Sequence, residues 1–292
     1  MTDADLPEVT VGAAVAELIR QACGPPGFLF DLEADLGDTG DLPESLGASD
    51  AWCSFAEAVS ALWRTRDYVV VRGMPALADG ASLFLASLGL KGRFRRYRGS
   101  SIVKTFRMSP WTTDLSHTLA DGEFHTDLNT DPNPPPVTCI QCVTPDPGAP
   151  RYGINRVARA ADLLACLAAS GNEDLLRFLC ETRVTMVNDH SDSAWTGTIV
   201  DGERIRFHPE TLRAASRRYK HVDPETESNL AALHEAAVEV STPFWLDTGD
   251  ILFLSNHRTL HYRGECSVIF VEFPLEFLSR SIHLLHKVDE PQ

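Results

Sequence analysis

A chain of 292 residues, 43% hydrophobic and 23% charged, has ordinary globular composition and enough length to bury a large core. Its formal net charge of -15 is a field that any duplex-binding surface would have to overcome locally, so nucleic acid is not an expected partner. No apolar run approaches the ~20 residues that cross a bilayer, and no basic segment precedes an apolar one at the N-terminus. Seven cysteines in no framework spacing read as reduced thiols, so the expectation is a soluble, cytoplasmic protein.

Residues 11–22 and 54–65 carry apolar positions at helical spacing and predict helices. The stretch between them, 25–45, reads as a short strand and a loop. The β-branched run DYVVVRGMP (67–75), closed by Gly73 and Pro75, predicts a buried strand. Residues 101–108 and 137–143 are further strand candidates, and 159–181 gives two helices broken at Ser170 and Gly171. TRVTMVND (182–189) and ERIRFHP (203–209) read as strands, and 223–238 as a helix with an acidic first turn. From 243 to 277 the sequence is dense in β signal. Many strands, few helices and no alternating βα rhythm predict a mainly β fold, an antiparallel core with flanking helices. With no composition break, the reading is a single domain over 1–292: a helical cover region to about 67 and a core over about 68–285.

The stretch GEFHTDLNTDPNPPP (122–136) is too rich in proline for a helix. In extended backbone, residues two apart share a side, so His125 and Asp127 can reach one ion while Thr126 faces away. An imidazole and a carboxylate with a distant second histidine make the 2-His-1-carboxylate facial triad, which leaves open positions on iron for oxygen chemistry. The bland alternative is a loop histidine beside a capping aspartate. LDTGDILFLSNHRTLHYRG (246–264) offers both His257 and His261 as the third ligand. In β surroundings four residues span ~13 Å at ~3.3 Å each, so one ion cannot take both.

Several segments between 68 and 273, in order, resemble the taurine dioxygenase and clavaminate synthase-like superfamily of non-haem iron, 2-oxoglutarate-dependent oxygenases. YVVVRGMP resembles that family's early strand ending in Arg-Gly, and FHTDLN its H-[TS]-[DE] ligand motif. CVTPDPGAP resembles the strand and loop that follow, and LDTGDILFLSNHRTLHYR the late G-D…N-x-R-x-x-H segment. The resemblance implies a double-stranded β-helix (jelly-roll) core with Fe(II) held by His125, Asp127 and His261, His257 falling at a variable position. It further implies 2-oxoglutarate as cosubstrate, dioxygen as co-reactant and a small-molecule substrate, either amino-acid-like or a biosynthetic intermediate. Family halogenases lack the carboxylate ligand, so Asp127 points to hydroxylation, desaturation or cyclisation of a C–H bond.

The pattern breaks after His261. The family places an arginine for the keto acid's distal carboxylate ten or more residues later, yet position 272 is Glu272 and 275 is Leu275, and CSVIFVEF (266–273) holds no basic residue. Against the R-x-S strand of related iron oxygenases, Glu265 stands at the arginine position, with Ser267 still present. The threonine of the G-G-x-T loop is also missing, and GAPRYG (148–153) supplies Arg151 instead. A buried carboxylate calls for a cationic partner, bidentate for preference. Arg263, Arg151 and Arg280 are the candidates, with Ser267 as a further contact. Arg263 follows His261 by two and can share its strand face, or can equally be a solvated hairpin residue; Arg280 reads as a surface residue beyond the core strands. The alternatives are an iron oxygenase that takes its electrons from substrate, and a cupin-like metal-binding scaffold.

Candidate substrate contacts fall in four places. The basic cluster KGRFRRYRG (91–99) offers Arg93, Arg95, Arg96 or Arg98 to a carboxylate or phosphate, or is a solvated loop. RIRFHPETL (204–212) offers Arg206 and His208, or is a strand end with Pro209 opening a helix. Gln141, opposite in face to Ile140, is expected to look into the barrel, and Glu265 completes the candidates. Cys139 and Cys142 would point to opposite faces of a strand, which argues against a zinc or redox pair.

Overall fold

The computed structural model describes residues 6–24, 29–77, 79–97, 101–114, 116–189, 191–220 and 224–291. Strand β1 (Glu8–Thr10) leads into helices α1 (Ala13–Ala22), α2 (Leu29–Leu36), α3 (Glu44–Gly47) and α4 (Asp50–Arg66), then β2 (Tyr68–Arg72), α5 (Ala81–Ser87), β3 (Lys104–Arg107), β4 (Val137–Thr144) and β5 (Asn155–Arg159). Helices α6 (Ala160–Ser170) and α7 (Glu173–Cys180) follow, then β6 (Arg183–Val187), β7 (Ala194–Thr198), β8 (Val200–Asp201), β9 (Arg204–Ile205), α8 (Pro209–Tyr219) and α9 (Pro224–Glu239). The chain closes with β10 (Ile251–Ser255), β11 (Thr259–Arg263), β12 (Val268–Glu272), β13 (Glu276–Ser279) and β14 (Ser281–Lys287).

A six-stranded sheet in the order β1-β2-β10-β4-β14-β3 forms one wall. The facing wall is the antiparallel pair β11-β5, widened by isolated bridges His125↔His261 on one side and Asn155↔Phe244 on the other. Period-two alternation sorts the large sheet's side chains into two cores. Val69, Val71, Ile251, Phe253 and Leu285 pack outward against Ile19, Trp52, Val59, Trp63 and Phe84 of the helices. Val70, Leu252, Leu254, Ile140 and Leu284 point inward and meet Val157, Phe244 and Leu246. A third core, including Leu163, Leu167, Phe178, Leu179, Leu233 and Leu260, packs α6, α7 and α9 over the smaller sheet. This is a jelly-roll core between helical layers.

The two motif halves interlock. Arg72 donates to Asp250 at 2.8 Å, and the Gly73 N–H to the same carboxylate at 2.9 Å. Gly249, at φ +93, brings its Cα so close to Met74 that a Cβ would stand 1.8 Å from that carbonyl oxygen, so only glycine fits. Arg258 of the NHRTLH segment donates to Asp67 at 2.6 Å and so ties β11 to the end of α4.

The predicted helices, and the strands at 67–75, 101–108 and 137–143, form close to where they were placed. Two segments differ. The strand expected within 25–45 is helix α2, with residues 25–28 outside the described residues. Leu29, Leu32 and Leu36 recur at helical spacing against the core, and buried Glu33 accepts the Ile102 and Val103 N–H groups. In ERIRFHP only Arg204–Ile205 pairs as a strand; the Arg206 N–H then donates to the Ile199 carbonyl, and Phe207 is bound by Thr126. No helix among the described residues is long and apolar enough to cross a membrane.

Candidate metal centre

The isolated bridge between His125 and His261 is made by two backbone hydrogen bonds, each N–H to the other's carbonyl at 3.0 Å. It sets the two rings side by side, with centroids 4.2 Å apart. Two residues on, Asp127 turns its Oδ1 to both rings, 3.8 Å from Nε2 of His125 and 3.7 Å from Nε2 of His261. One ligand atom from each of the three residues falls within 4.8 Å of the others. His257 is elsewhere: Nδ1 faces Glu290 and Nε2 faces the Pro134 carbonyl, at 3.0 and 3.1 Å.

The protonation pattern suits a cation. His125 Nδ1 lies 2.9 Å from the Glu123 carbonyl, which can only accept, so Nδ1 carries the hydrogen and Nε2 presents its lone pair inward. Burial pushes His261 down to about 3, and its Nδ1 is a buried atom with no partner. Burial alone would raise the Asp127 carboxyl, but the surrounding imidazoles and the His286 hydrogen bond hold it well below the usual carboxylate range. Two imidazoles and one carboxylate, His261 buried and His125 and Asp127 half-buried, converge in a set that fits the donors for divalent iron.

The aspartate is fixed from three sides. Asn256 accepts its N–H at 2.7 Å and donates to its carbonyl at 3.0 Å. Thr138 donates to Oδ2 at 2.8 Å, and His286 Nε2 stands 3.0 Å from the same oxygen. Phe207 holds the residue between the ligands: Thr126 N–H reaches the Phe207 carbonyl at 2.7 Å, and Phe207 N–H reaches the Thr126 hydroxyl at 3.1 Å. This pairing lays His208 beside His125, centroids 4.8 Å apart. His208 Nδ1 accepts the Glu210 N–H as the cap of α8, so Nε2 carries the hydrogen and the ring is a neutral donor. Burial, with His125 next, pushes it down to about 3.

The other predicted residues divide sharply. Arg280, read from sequence as a surface residue, is 4% exposed, because the β12-β13 hairpin projects before it and returns the chain to the main sheet. Its guanidinium donates to the Gly153 carbonyl at 3.0 Å and to Asn155 Oδ1 at 2.8 Å. Asn155 shares a face of β5 with Val157, the register partner of His261. Arg280 therefore reaches the inner side of the same wall that carries His261. Among the described residues no carboxylate is within ion-pair distance of it. Arg263, half-buried, lies across from Asn155 and donates to the Gly264 carbonyl and Cys266 Sγ. Arg206 stacks over Trp195 at 4.7 Å and donates to the Asp131 carbonyl.

Gln141 does not look into the barrel. It pairs with His283 on the outward-facing set, accepts from Ser82, and donates to the Pro75 and Gly249 carbonyls. Gln141 and Ile140 do face opposite ways, but Ile140 is the inward residue. Arg96 is bound to Asp38 and the Glu33 carbonyl, Arg93 to Asp289 and Arg95 to Asp131; Arg98 lies outside the described residues. Arg151 is exposed, beside the Tyr152 ring. Ser267 is engaged through both N–H and hydroxyl by Asp146, and Glu265 is exposed. Cys139 and Cys142 fall in different cores, on opposite faces of β4.

Sequence reasoning missed Asn256, Thr138, His286, Tyr97 and Lys104. Asn256 was legible in the N-x-R-x-x-H pattern; Thr138, His286 and Lys104 come toward Asp127 through strand pairing, and Tyr97 through the loop before β3 that meets His286.

Comparison with known proteins agrees with this fold. The family model for taurine catabolism dioxygenase TauD, TfdA family, matches residues 38–267. No curated protein sequence matches the chain. An asparagine oxygenase, AsnO, solved with Fe(II), 2S,3S-3-hydroxyasparagine and succinate, superposes with TM-score 0.69 at 15% identity over 97% of this chain and 94% of that one. The non-haem iron oxygenase OrfP, solved with Fe and alpha-ketoglutaric acid, gives 0.62 at 16% identity over 97% and 94%. PvcB from Pseudomonas aeruginosa gives 0.57 at 18% over 90% and 83%. With a converging histidine–aspartate–histidine cluster at one corner of a jelly-roll, and a family model matched across most of its length, this chain belongs to the TauD/TfdA family of dioxygenases.

Proposed function

We propose that this protein is an Fe(II)- and 2-oxoglutarate-dependent oxygenase that oxidises a C–H bond of a small amino-acid-like substrate. His125, Asp127 and His261 hold the iron, and Arg280 receives the distal carboxylate of the keto acid. The observation that carries this reading is the buried guanidinium of Arg280, which meets only neutral oxygens. A buried cation without a counter-charge is costly, and a bidentate carboxylate is the guest that removes the cost. Iron and 2-oxoglutarate, when bound, supply the oxidising power: dioxygen cleaves the keto acid to succinate and carbon dioxide and delivers its other oxygen atom to substrate chemistry. The chain's own part is to hold and to shape. The inner lining of Ile140, Leu252, Leu254 and Leu284 keeps water from the keto acid's stem, and the neutral His208 offers a hydrogen bond beside His125.

The amino-acid class rests on the AsnO and OrfP complexes, which hold hydroxyasparagine and hydroxy-L-Arg. Arg206 and His208, carried past the ligands by the Phe207–Thr126 pairing, are the proposed substrate contacts. The chain acts as one domain, since β1 of the cover region adds to the main sheet beside β2. A cytoplasmic location follows from the odd, unframed set of cysteines.

Anaerobic Fe(II) with 2-oxoglutarate is expected to give a visible metal-to-ligand charge-transfer band. Bound iron without that band overturns cosubstrate use. His125→Ala and His261→Ala are each expected to abolish iron binding, and retention of iron by both overturns the ligand set.

A further inference from the structure

Asp127 has two carboxylate oxygens, and the structure treats them differently. Oδ1 faces both ligand imidazoles. Oδ2 receives Thr138 Oγ1 at 2.8 Å and His286 Nε2 at 3.0 Å. An ionised carboxylate only accepts, so His286 Nε2 must carry a hydrogen. In the neutral ring Nδ1 then presents a lone pair, and the hydroxyl that meets it belongs to Tyr97. Burial, with the Asp127 charge next, raises the Tyr97 phenol, so the hydroxyl keeps its proton and donates. One ordered chain results: Tyr97 O–H to His286, His286 N–H to Asp127.

The chain is held rigidly. The His286 side chain is 4% exposed, and its carbonyl accepts the Arg95 N–H at 2.9 Å. The Lys104 ammonium sits over the Tyr97 ring, 3.4 Å from its centroid. Strand register places Thr138 opposite His286, and Lys104 opposite Leu284 on the same face of the sheet.

We propose that His286 is a positioning residue that locks Asp127 into one-oxygen coordination, with Tyr97 fixing the tautomer that makes the lock possible. The inference rests on the ligand reading above and adds to it. An octahedral ion held by three protein atoms keeps three positions, which a chelating keto acid and dioxygen together require. A carboxylate free to rotate would offer both oxygens and occupy one of them. The lock therefore matters little for holding the metal and greatly for admitting the cosubstrate.

The test uses His286→Leu, His286→Gln and Tyr97→Phe in the full chain, loaded with metal. His286→Leu is expected to retain one metal equivalent and to need at least about tenfold more 2-oxoglutarate for the charge-transfer band, in the range of lost outer-shell partners. His286→Gln, whose amide N–H can stand at the Nε2 position, is expected to return to within about threefold of wild type, and Tyr97→Phe to fall between. Water-proton relaxation by bound Mn(II) gives a reading independent of the keto acid: relaxivity in His286→Leu should fall by about a third, as three coordinated waters become two. Unchanged relaxivity and cosubstrate binding in His286→Leu overturn the lock. Loss of metal from both His286→Leu and His286→Gln also overturns it, because the residue would then serve the metal site's integrity and not the coordination mode. A wild-type protein that binds Mn(II) but never 2-oxoglutarate sinks the cosubstrate reading instead, and the relaxivity comparison still decides this one.

Discussion

Asn256 grips the backbone of Asp127 from both sides, its side-chain oxygen accepting the Asp127 N–H and its amide donating to the Asp127 carbonyl. The same amide also reaches the Pro135 carbonyl. A residue five positions before one histidine thus sets the main chain of the carboxylate ligand, 129 residues away in sequence. Asn256→Ala leaves three buried backbone groups without partners. The expected cost is about 2–4 kcal/mol of stability and roughly 10- to 100-fold in metal affinity, checked by denaturant melts and by metal-binding titration. Unchanged metal affinity would mean that the bracket only supports the loop.

Arg280→Gln should separate the cosubstrate from the metal. Removing one member of a buried charge pair costs about 2–4 kcal/mol, or roughly 30- to 1000-fold in 2-oxoglutarate affinity. Iron affinity should stay unchanged. Arg263→Gln and Arg151→Gln are expected to have much smaller effects, Arg151 because it is exposed. Equal losses in all three would remove Arg280's claim.

Acid should destabilise the protein through His208. Its ring is pushed down to about 3 by burial, against about 6.5 in the unfolded chain. Between those values the unfolded state binds the extra proton, so stability is full above about pH 6.5 and falls as the pH drops toward 3. His208→Asn keeps a good cap for α8 and removes the titration. The wild-type minus variant unfolding free energy should therefore drop by up to about 1.4 kcal/mol per pH unit across pH 6 to 4. A pH-independent difference would count against a neutral buried imidazole.

Gly249→Ala tests the interlock of the two motif halves. A Cβ there meets the Met74 carbonyl at 1.8 Å with φ at +93, and the obstacle is backbone. The expected loss is about 3 kcal/mol or more, visible as a lowered Tm. Asp250 sits next to it and holds Arg72 and Gly73, so binding of the metal should weaken only as far as the fold does.

His125 and Asp127 were legible as a candidate metal-binding pair because the reason is local, and the choice of His261 over His257 came from the family resemblance. Two residues apart in extended backbone share a side, and the N-x-R-x-x-H pattern distinguishes His261 from His257; the structure brings those three side chains together and turns His257 toward Glu290. Local patterns cannot say which face of a strand is inward when both are apolar, and that misplaced Gln141. Nor do they reveal how far a hairpin carries the chain before it returns to the sheet. The β12-β13 excursion precedes Arg280, whose sequence distance made it look superficial although the return to the sheet buries it. His286 and Lys104 come from strands paired across long stretches of chain, and Tyr97 from the loop between α5 and β3, so only the tertiary structure brings them toward Asp127. Sequence alone determined the local pairing of His125 with Asp127, because extended backbone puts alternate residues on one side; tertiary pairing decided that His261 meets them, what brackets Asp127, and that Arg280 is buried.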